Sequence, residues 1–205
     1  MQNTAMRLTE LAHNYLSAQL GEGDHALDAT SGNGYDTLQM AKLVGPLGHV
    51  IAIDIQEAAI AATRTLLESN NCLKQVELLL EDHSTALQSL CRDHAQSFSA
   101  ITFNLGYLPG SDKHVLTRPE TTIKALDPAR ELLKPNGLLL VTAYRGHGGG
   151  QVEADHVAQW MQQLSTRDWQ WKTHDPSIDN NKENQPPILW AVRKLYNTKN
   201  EQIAK

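Results

Sequence analysis

Glycine, acid and amide side chains gather in one short stretch, Leu27-Asp28-Ala29-Thr30-Ser31-Gly32-Asn33-Gly34-Tyr35-Asp36-Thr37. Gly32 and Gly34 permit a sharp turn and leave room for a ligand where a Cβ would stand. A helix restarting near Asp36 would aim its free N–H groups into that turn. Such a turn suits the holding of a nucleotide-type cofactor. A dinucleotide fingerprint asks for Gly-x-Gly-x-x-Gly, whereas the third glycine position here holds Thr37. Asp28 sets a carboxylate directly before the turn, where it would repel a pyrophosphate and suit a ligand with a cationic amino-acid end. Asp54 is the acid expected about 20 residues on. It can accept both hydroxyls of a ribose, with Gln56 beside it, or cap the helix that follows.

In an open α/β sheet, ligands bind beyond the carboxyl ends of the strands. That rule collects five loops. The first carries Asp28, Thr30, Gly32, Asn33, Gly34, Tyr35 and Asp36, although Asp36 could instead cap its helix. The second carries Asp54 and Gln56, and the third Asp82 and His83, placed to meet an adenine or to cap a helix. The fourth runs from Asn104 through Tyr107 to Gly110, and the fifth from Tyr144 through Arg145 and His147 to Gly149. His147, Glu153 and His156 are loosely spaced and no cysteine joins them, so no metal site is expected. Glu153 in a first helical turn is favourable without any ligand. A lone helical His13 reads as a packing or surface residue.

The elements that must position these loops alternate. Strands are expected at 25–29, 49–53, 76–80, 98–103, 138–143, 169–173 and 188–193, with helices at 7–20, 36–44, 56–70 and 84–93 between them. A further helix starts with Pro119 at its first position. It should kink or restart at Asp127-Pro128 and stop at Lys134-Pro135-Asn136-Gly137. The last helix buries Val157, Trp160, Met161 and Leu164, spaced as a core stripe. The leading helix is expected to cover one sheet edge. This order predicts an α/β, doubly wound, seven-stranded and mostly parallel sheet. Only a loop separates the last two strands. They should therefore pair as a terminal antiparallel hairpin, since a parallel crossover needs a dozen or more residues and usually a helix.

At 205 residues the chain reads as one domain, with 1–6 and 197–205 as frayed ends. No run approaches the roughly 18 apolar residues of a membrane span, and the polar start lacks an apolar signal region, so a cytoplasmic protein with no membrane partner is expected. Cys72 and Cys91 are expected as free thiols. A net charge of −5 argues against a broad, non-specific grip on nucleic acid but allows a small basic footprint.

Asp28-x-x-x-Gly32-x-Gly34 resembles motif I of the class I methyltransferases, which bind S-adenosylmethionine. A more specific resemblance rests on Asp-Ala-Thr-x-Gly-Asn-Gly-x-Asp-Thr (28–37), Asp-Ile-Gln (54–56) and Asn-Leu-Gly-Tyr-Leu-Pro-Gly (104–110). Thr-x-Pro-Glu-Thr-Thr (117–122) and Tyr-x-Gly-His-x-Gly-Gly (144–150) complete it. Over roughly residues 8–194 the chain resembles the family first labelled "putative rRNA methylase". That family includes the tRNA 5-aminomethyl-2-thiouridine methyltransferases acting at wobble position 34.

The resemblance implies methyl transfer from S-adenosylmethionine to the primary amine of the 5-aminomethyl group, with a tRNA anticodon stem-loop as partner. Asn104-Leu-Gly-Tyr107 stands where amino-methylating enzymes carry Asn/Asp-Pro-Pro-Tyr/Phe, and Leu-Gly replaces Pro-Pro. Asn104 still supplies an acceptor for the amine. Asn104, Tyr107, Asp112 and His114 are the candidate proton acceptors or relays. Lys113, Arg118, Lys124 and Arg145 are candidates for anticodon-loop phosphates, and Tyr107 and Tyr144 for stacking on the unpaired base. His147 is a candidate substrate or cofactor contact. Kept beside this reading are a methyltransferase of another RNA or a small molecule, and an NAD-dependent oxidoreductase. A homodimer is left open.

Overall fold

The structure, a computed structural model, describes residues 7–108, 116–176 and 185–196. The expected frayed ends, 1–6 and 197–205, lie outside the described residues. The elements alternate as α1 (Leu8–Gln19), β1 (His25–Asp28), α2 (Tyr35–Val44), β2 (His49–Asp54), α3 (Glu57–Ser69), β3 (Val76–Leu80) and α4 (His83–His94). There follow β4 (Phe98–Leu105), α5 (Pro119–Leu132), β5 (Leu133–Ala143), α6 (Gly150–Gln162), β6 (Trp169–His174) and β7 (Ile188–Lys194).

The strands form one seven-stranded sheet in the order β3-β2-β1-β4-β5-β7-β6. β1 pairs parallel with β2 and with β4. β7 runs antiparallel to both β5 and β6, the terminal hairpin expected from the polar, turn-rich connection before it. The strand order reverses between β1 and β4, and the crevice outside their carboxyl ends is where such a sheet takes a ligand.

Side chains alternate across the pleat, and both faces are covered. Leu27, Ile51, Ile53, Ile101, Phe103, Leu139 and Val141 pack on one side with α4, α5 and α6 residues such as Leu87, Leu126 and Met161. Their sequence neighbours Ala26, Val50, Ala100, Leu138 and Leu140 pack on the other side with Leu16, Met40 and Leu67 from α1, α2 and α3. Val157, Trp160, Met161 and Leu164 are all buried, as their spacing predicts.

Three expectations change. Among the described residues, the α1 helix reaches a sheet edge only through Tyr15, whose hydroxyl meets His174 of the edge strand β6 at 2.9 Å. For the rest it packs over β4, β5 and β7, where Ala12, Leu16 and Leu20 find Leu138, Leu140, Leu189 and Ala191. Helix α5 neither restarts nor stops at Asp127-Pro128. Its apolar face is buried on both sides of the proline, at Ala125 and Leu126 and again at Ala129 and Leu132. The Asp127 carboxylate meets Arg130 at 2.8 Å and accepts from Trp160 Nε1 at 3.1 Å instead of capping a new helix. Packing thus outweighs the single hydrogen bond that proline removes. Strand β5 begins at Leu133 rather than 138, with its register against β4 shifted between Phe98 and Ala100.

Gly34 takes the left-handed conformation (φ +84°) that starts α2. A Cβ there would lie 2.8 Å from Thr63 Cα, a backbone atom of α3. Gly34→Ala is therefore expected to cost about 2–4 kcal/mol, adding a close backbone clash to a strained φ. The urea midpoint reads this directly.

Candidate active site

The loops at the carboxyl ends of β1, β2, β4 and β5 and the start of α4 enclose a cavity of about 1060 Å³. Thr30, Gly32, Asn33, Tyr35, Asp36, Asp54, Gln56, Asp82, His83, Asn104, Tyr107, Arg118, Tyr144, Arg145 and His147 all line it. The five-loop expectation thus converges on one volume. Asp112, Lys113 and His114, together with Gly110, lie outside the described residues. Asp28 and Gly34 do not face the cavity, and Lys124 sits exposed on α5 away from it.

The turn after β1 is held by its neighbours. Ser31 N–H donates to Ile53 O at 2.8 Å and Gly34 N–H to Ser31 O at 2.8 Å. Asp54 accepts from Gly32 N through one oxygen and from Gln56 N through the other, each at 2.9 Å. Thr63 Oγ1 donates to Gly32 O at 3.1 Å. A carboxylate oxygen has more than one lone pair, so Asp54 retains acceptor capacity toward the cavity.

Asp28 is fully buried beneath this turn and so does not meet a ligand's cationic end. Thr37 Oγ1 donates to it at 2.6 Å, and Thr30 N and Thr102 Oγ1 donate to its other oxygen at 3.3 and 3.4 Å. Thr37 at the third glycine position thus partners a buried acid. Burial first, then the neighbouring Asp36 and Asp54 charges, push the Asp28 carboxyl up to about 7. A folded pKa above the unfolded value of 3.8 stabilises the fold at low pH. That contribution, about 4 kcal/mol at full size, is lost as pH rises from about 4 through 7. Asp28→Asn, which keeps the shape and the acceptor for Thr30 N, should therefore gain stability relative to the native chain as pH rises. Urea midpoints of both proteins at pH 4.5 and 8 test this; a constant difference would refute it.

Asp82 and His83 divide the two roles weighed for them. Asp82 caps α4, accepting from Ser84 N at 2.9 Å and Thr85 N at 3.4 Å as well as from the Ser84 hydroxyl. His83 is buried, edge-on to the Phe103 ring, and desolvation holds its imidazole below its ordinary pKa and hence neutral. Its Nε2 has no hydrogen-bond partner, and neither do Ser31 Oγ and His147 Nε2. These three buried atoms all belong to residues lining the cavity.

Asp36 does not cap its helix. One oxygen meets His13 Nε2 at 2.6 Å and the other accepts from Asn104 Nδ2 at 2.7 Å. A carboxylate only accepts, so Asn104 must turn its NH₂ to Asp36 and keep its carbonyl oxygen for another partner. The Asn104 backbone N–H donates to Thr30 Oγ1 at 2.7 Å, fixing the strand end. His13, expected as a packing or surface residue, is thus part of this site.

Tyr107 is partly exposed and meets the His147 ring edge-on, with centroids 5.8 Å apart. A Cβ on Gly150 would strike the Tyr144 carbonyl, and His147 Nε2 at 2.9 Å, so glycine lets this loop fold back tightly. Glu153 is buried and accepts from Thr117 Oγ1 at 2.7 Å and Thr122 Oγ1 at 2.6 Å. Thr117 Oγ1 in turn accepts from Gly106 N at 2.8 Å. Burial pushes the Glu153 carboxyl up. Among the described residues, no three His, Cys, Asp or Glu side chains are arranged to hold a metal ion.

Arg145, a candidate phosphate contact that lines the cavity, is already engaged within the chain. Its guanidinium is bidentate to Asp175 at 3.1 and 2.7 Å and donates through Nε to Pro186 O at 2.9 Å. A buried fork with both faces engaged ties the segments flanking 177–184 to the 144–149 loop. Cys72 and Cys91 are free thiols, as expected. Among the described residues no helix is long and apolar enough to cross a membrane.

Residues 50–193 match the family model "Putative rRNA methylase", and residues 2–90 match that of protein-L-isoaspartate(D-aspartate) O-methyltransferase. A chloroplastic tRNA (mnm(5)s(2)U34)-methyltransferase from Arabidopsis thaliana is 38% identical over 174 residues, 80% of this chain. The chain spans 62% of that relative's length, and 36% of a probable cobalt-precorrin-6B C(15)-methyltransferase from Thermoplasma volcanium. Among solved structures, a "putative rRNA-methylase" from Clostridium thermocellum is 36% identical, with a TM-score of 0.86 over 94% of this chain and 100% of that one. A "putative methyltransferase" from Streptococcus mutans, solved in complex with SAH, is 34% identical, with a TM-score of 0.79 over the same shares.

Proposed function

The chain belongs to the "Putative rRNA methylase" family, and from that premise we propose that it methylates the primary amine of 5-aminomethyl-2-thiouridine at tRNA position 34. The product is 5-methylaminomethyl-2-thiouridine, and the methyl donor is S-adenosylmethionine. The observation that carries this reading is the Asn104 amide, clamped by Asp36 at 2.7 Å so that only its carbonyl oxygen remains to accept from an amine. The Arabidopsis relative supports the substrate, and the Streptococcus structure with SAH supports the cofactor.

The cavity residues fit the donor. Asp54 has acceptor capacity for a ribose diol, and His83, Asn33, Tyr35 and Gln56 complete the wall. When bound, S-adenosylmethionine supplies a methyl group on a cationic sulfur. The chain orients the acceptor nitrogen: Asn104 Oδ1 takes one amine hydrogen and so points the nitrogen lone pair. Reaction then depends mainly on placing nitrogen, carbon and sulfur in line. Tyr107 and Tyr144, both partly exposed at the cavity, are the rings on which an unpaired base would stack. Arg118, on the cavity wall at the start of α5, is the described cation best placed for an anticodon-loop phosphate.

Incubating the protein and S-adenosylmethionine with tRNA carrying 5-aminomethyl-2-thiouridine, then analysing nucleosides by mass spectrometry, tests the proposal. Gain of one methyl on that nucleoside is expected. Cofactor binding without such a gain would redirect the search to another RNA or a small molecule. That second reading draws on the net charge of −5 and on the engagement of Arg145 by Asp175.

A further inference from the structure

Neither residue of the His13–Asp36 pair caps α2, which starts on Gly34 without a side-chain cap. Both residues also lie outside the 50–193 span matched to the family model. Asp36 nonetheless lines the cavity, with its side chain only 15% exposed, and holds the amide proposed to meet the substrate nitrogen. An isolated carboxylate at that place conflicts with amine methylation. It would favour the ammonium form of the substrate, which has no lone pair to attack with. His13 Nε2 stands 2.6 Å from the carboxylate.

From this geometry we infer that His13 is a positioning residue that pairs with Asp36 as an imidazolium. It thereby neutralises the carboxylate that orients Asn104, and the site accepts its substrate as the neutral amine. The inference rests on the amine-methylation reading above. The Asp36 hydrogen bond is the largest influence on the imidazole and raises its pKa, against desolvation. Among the described residues, the titratable groups coupled to the pair do not supply the missing positive charge. Asp28 on β1 and the Tyr144 phenol after β5 both feel the Asp36 charge, and both shift upward. Glu10, one turn earlier on α1, is an acid, and β4 presents only the neutral Asn104. Arg193 of β7, which packs on α1, reaches Gln19 at the far end of the helix.

The step balances simply. The ammonium first gives a proton to solvent. The neutral nitrogen then forms the N–C bond with its lone pair while the C–S pair stays on sulfur, yielding S-adenosylhomocysteine and a secondary ammonium. His13 gains and loses nothing in this step; its charge sets how much substrate is present in the reactive form.

Two variants separate charge from shape: His13→Gln keeps a donor to Asp36 without charge, and His13→Lys restores the charge. Single-turnover rates are read against pH with 5-aminomethyl-2-thiouridine tRNA. The rising limb should move alkaline by about one pH unit in His13→Gln and return in His13→Lys, with S-adenosylhomocysteine affinity within a few-fold of native in both. NMR titration of the unliganded protein should place the His13 pKa above 6.5, falling to or below that value in Asp36→Asn, where only desolvation acts on it. An unshifted profile in His13→Gln, or a His13 that titrates identically with and without Asp36, overturns this inference while leaving the substrate intact. Absence of transfer by the native protein overturns the substrate and the inference with it.

Discussion

Asn104→Ala is expected to lower kcat on the tRNA substrate by about 10²–10³-fold while leaving S-adenosylhomocysteine affinity within a few-fold of native. The size follows from losing one pre-positioned hydrogen-bond partner and the orientation it gives. The selectivity follows from geometry. The Asn104 backbone N–H, not its side chain, reaches Thr30, and the turn after β1 is closed by Ser31, Gly32 and Asp54. Removing the amide also leaves Asp36 with an unused oxygen beside the cavity. KM for the tRNA should therefore change less than kcat, because phosphate and stacking contacts lie elsewhere. Single-turnover rates and cofactor titrations make the comparison; a native rate would remove Asn104 from the amine site.

Asp54→Ala should act on the other half of the site and weaken S-adenosylhomocysteine binding by about 10²-fold, as expected for charge-assisted hydrogen bonds at 1.5–3 kcal/mol each. Part of the loss is indirect, since Asp54 also holds the Gly32 and Gln56 amides at 2.9 Å. Asp54→Asn is not a silent control. Its NH₂ would face one of those two backbone N–H groups, and two donors repel. Both variants should bind cofactor more weakly, the alanine more so, and calorimetry measures the order directly. Unchanged affinity in Asp54→Ala would place the ribose elsewhere.

These expectations draw unequally on sequence and structure. Alternating apolar runs and helical stripes placed β3 at Val76–Leu80 and kept the strand–helix order throughout. The Gly-x-Gly turn, Asp54 and Asn104 were legible because the carboxyl ends of parallel strands share one crevice whatever the details between them. The terminal hairpin followed from a polar, turn-rich connection whose sequence offers no crossover helix.

Pairings between distant positions were not legible. Local pattern called for a kink or restart at Asp127-Pro128, yet burial of α5 on both sides of the proline carried one helix through it. Asp28 read as a ligand contact until the fold buried it against Thr37, and Arg145 read as a free cation until Asp175 engaged it. His13 lies 23 residues from Asp36, and Asp36 lies 68 from Asn104, with no periodicity linking them. The sequence by itself determined the order of elements and the loops that face a cofactor, because periodicity and chain connectivity are local. Only the tertiary structure decided which acid is buried, which is paired and which way the amide turns, because those depend on side chains that meet only after the sheet has brought them together.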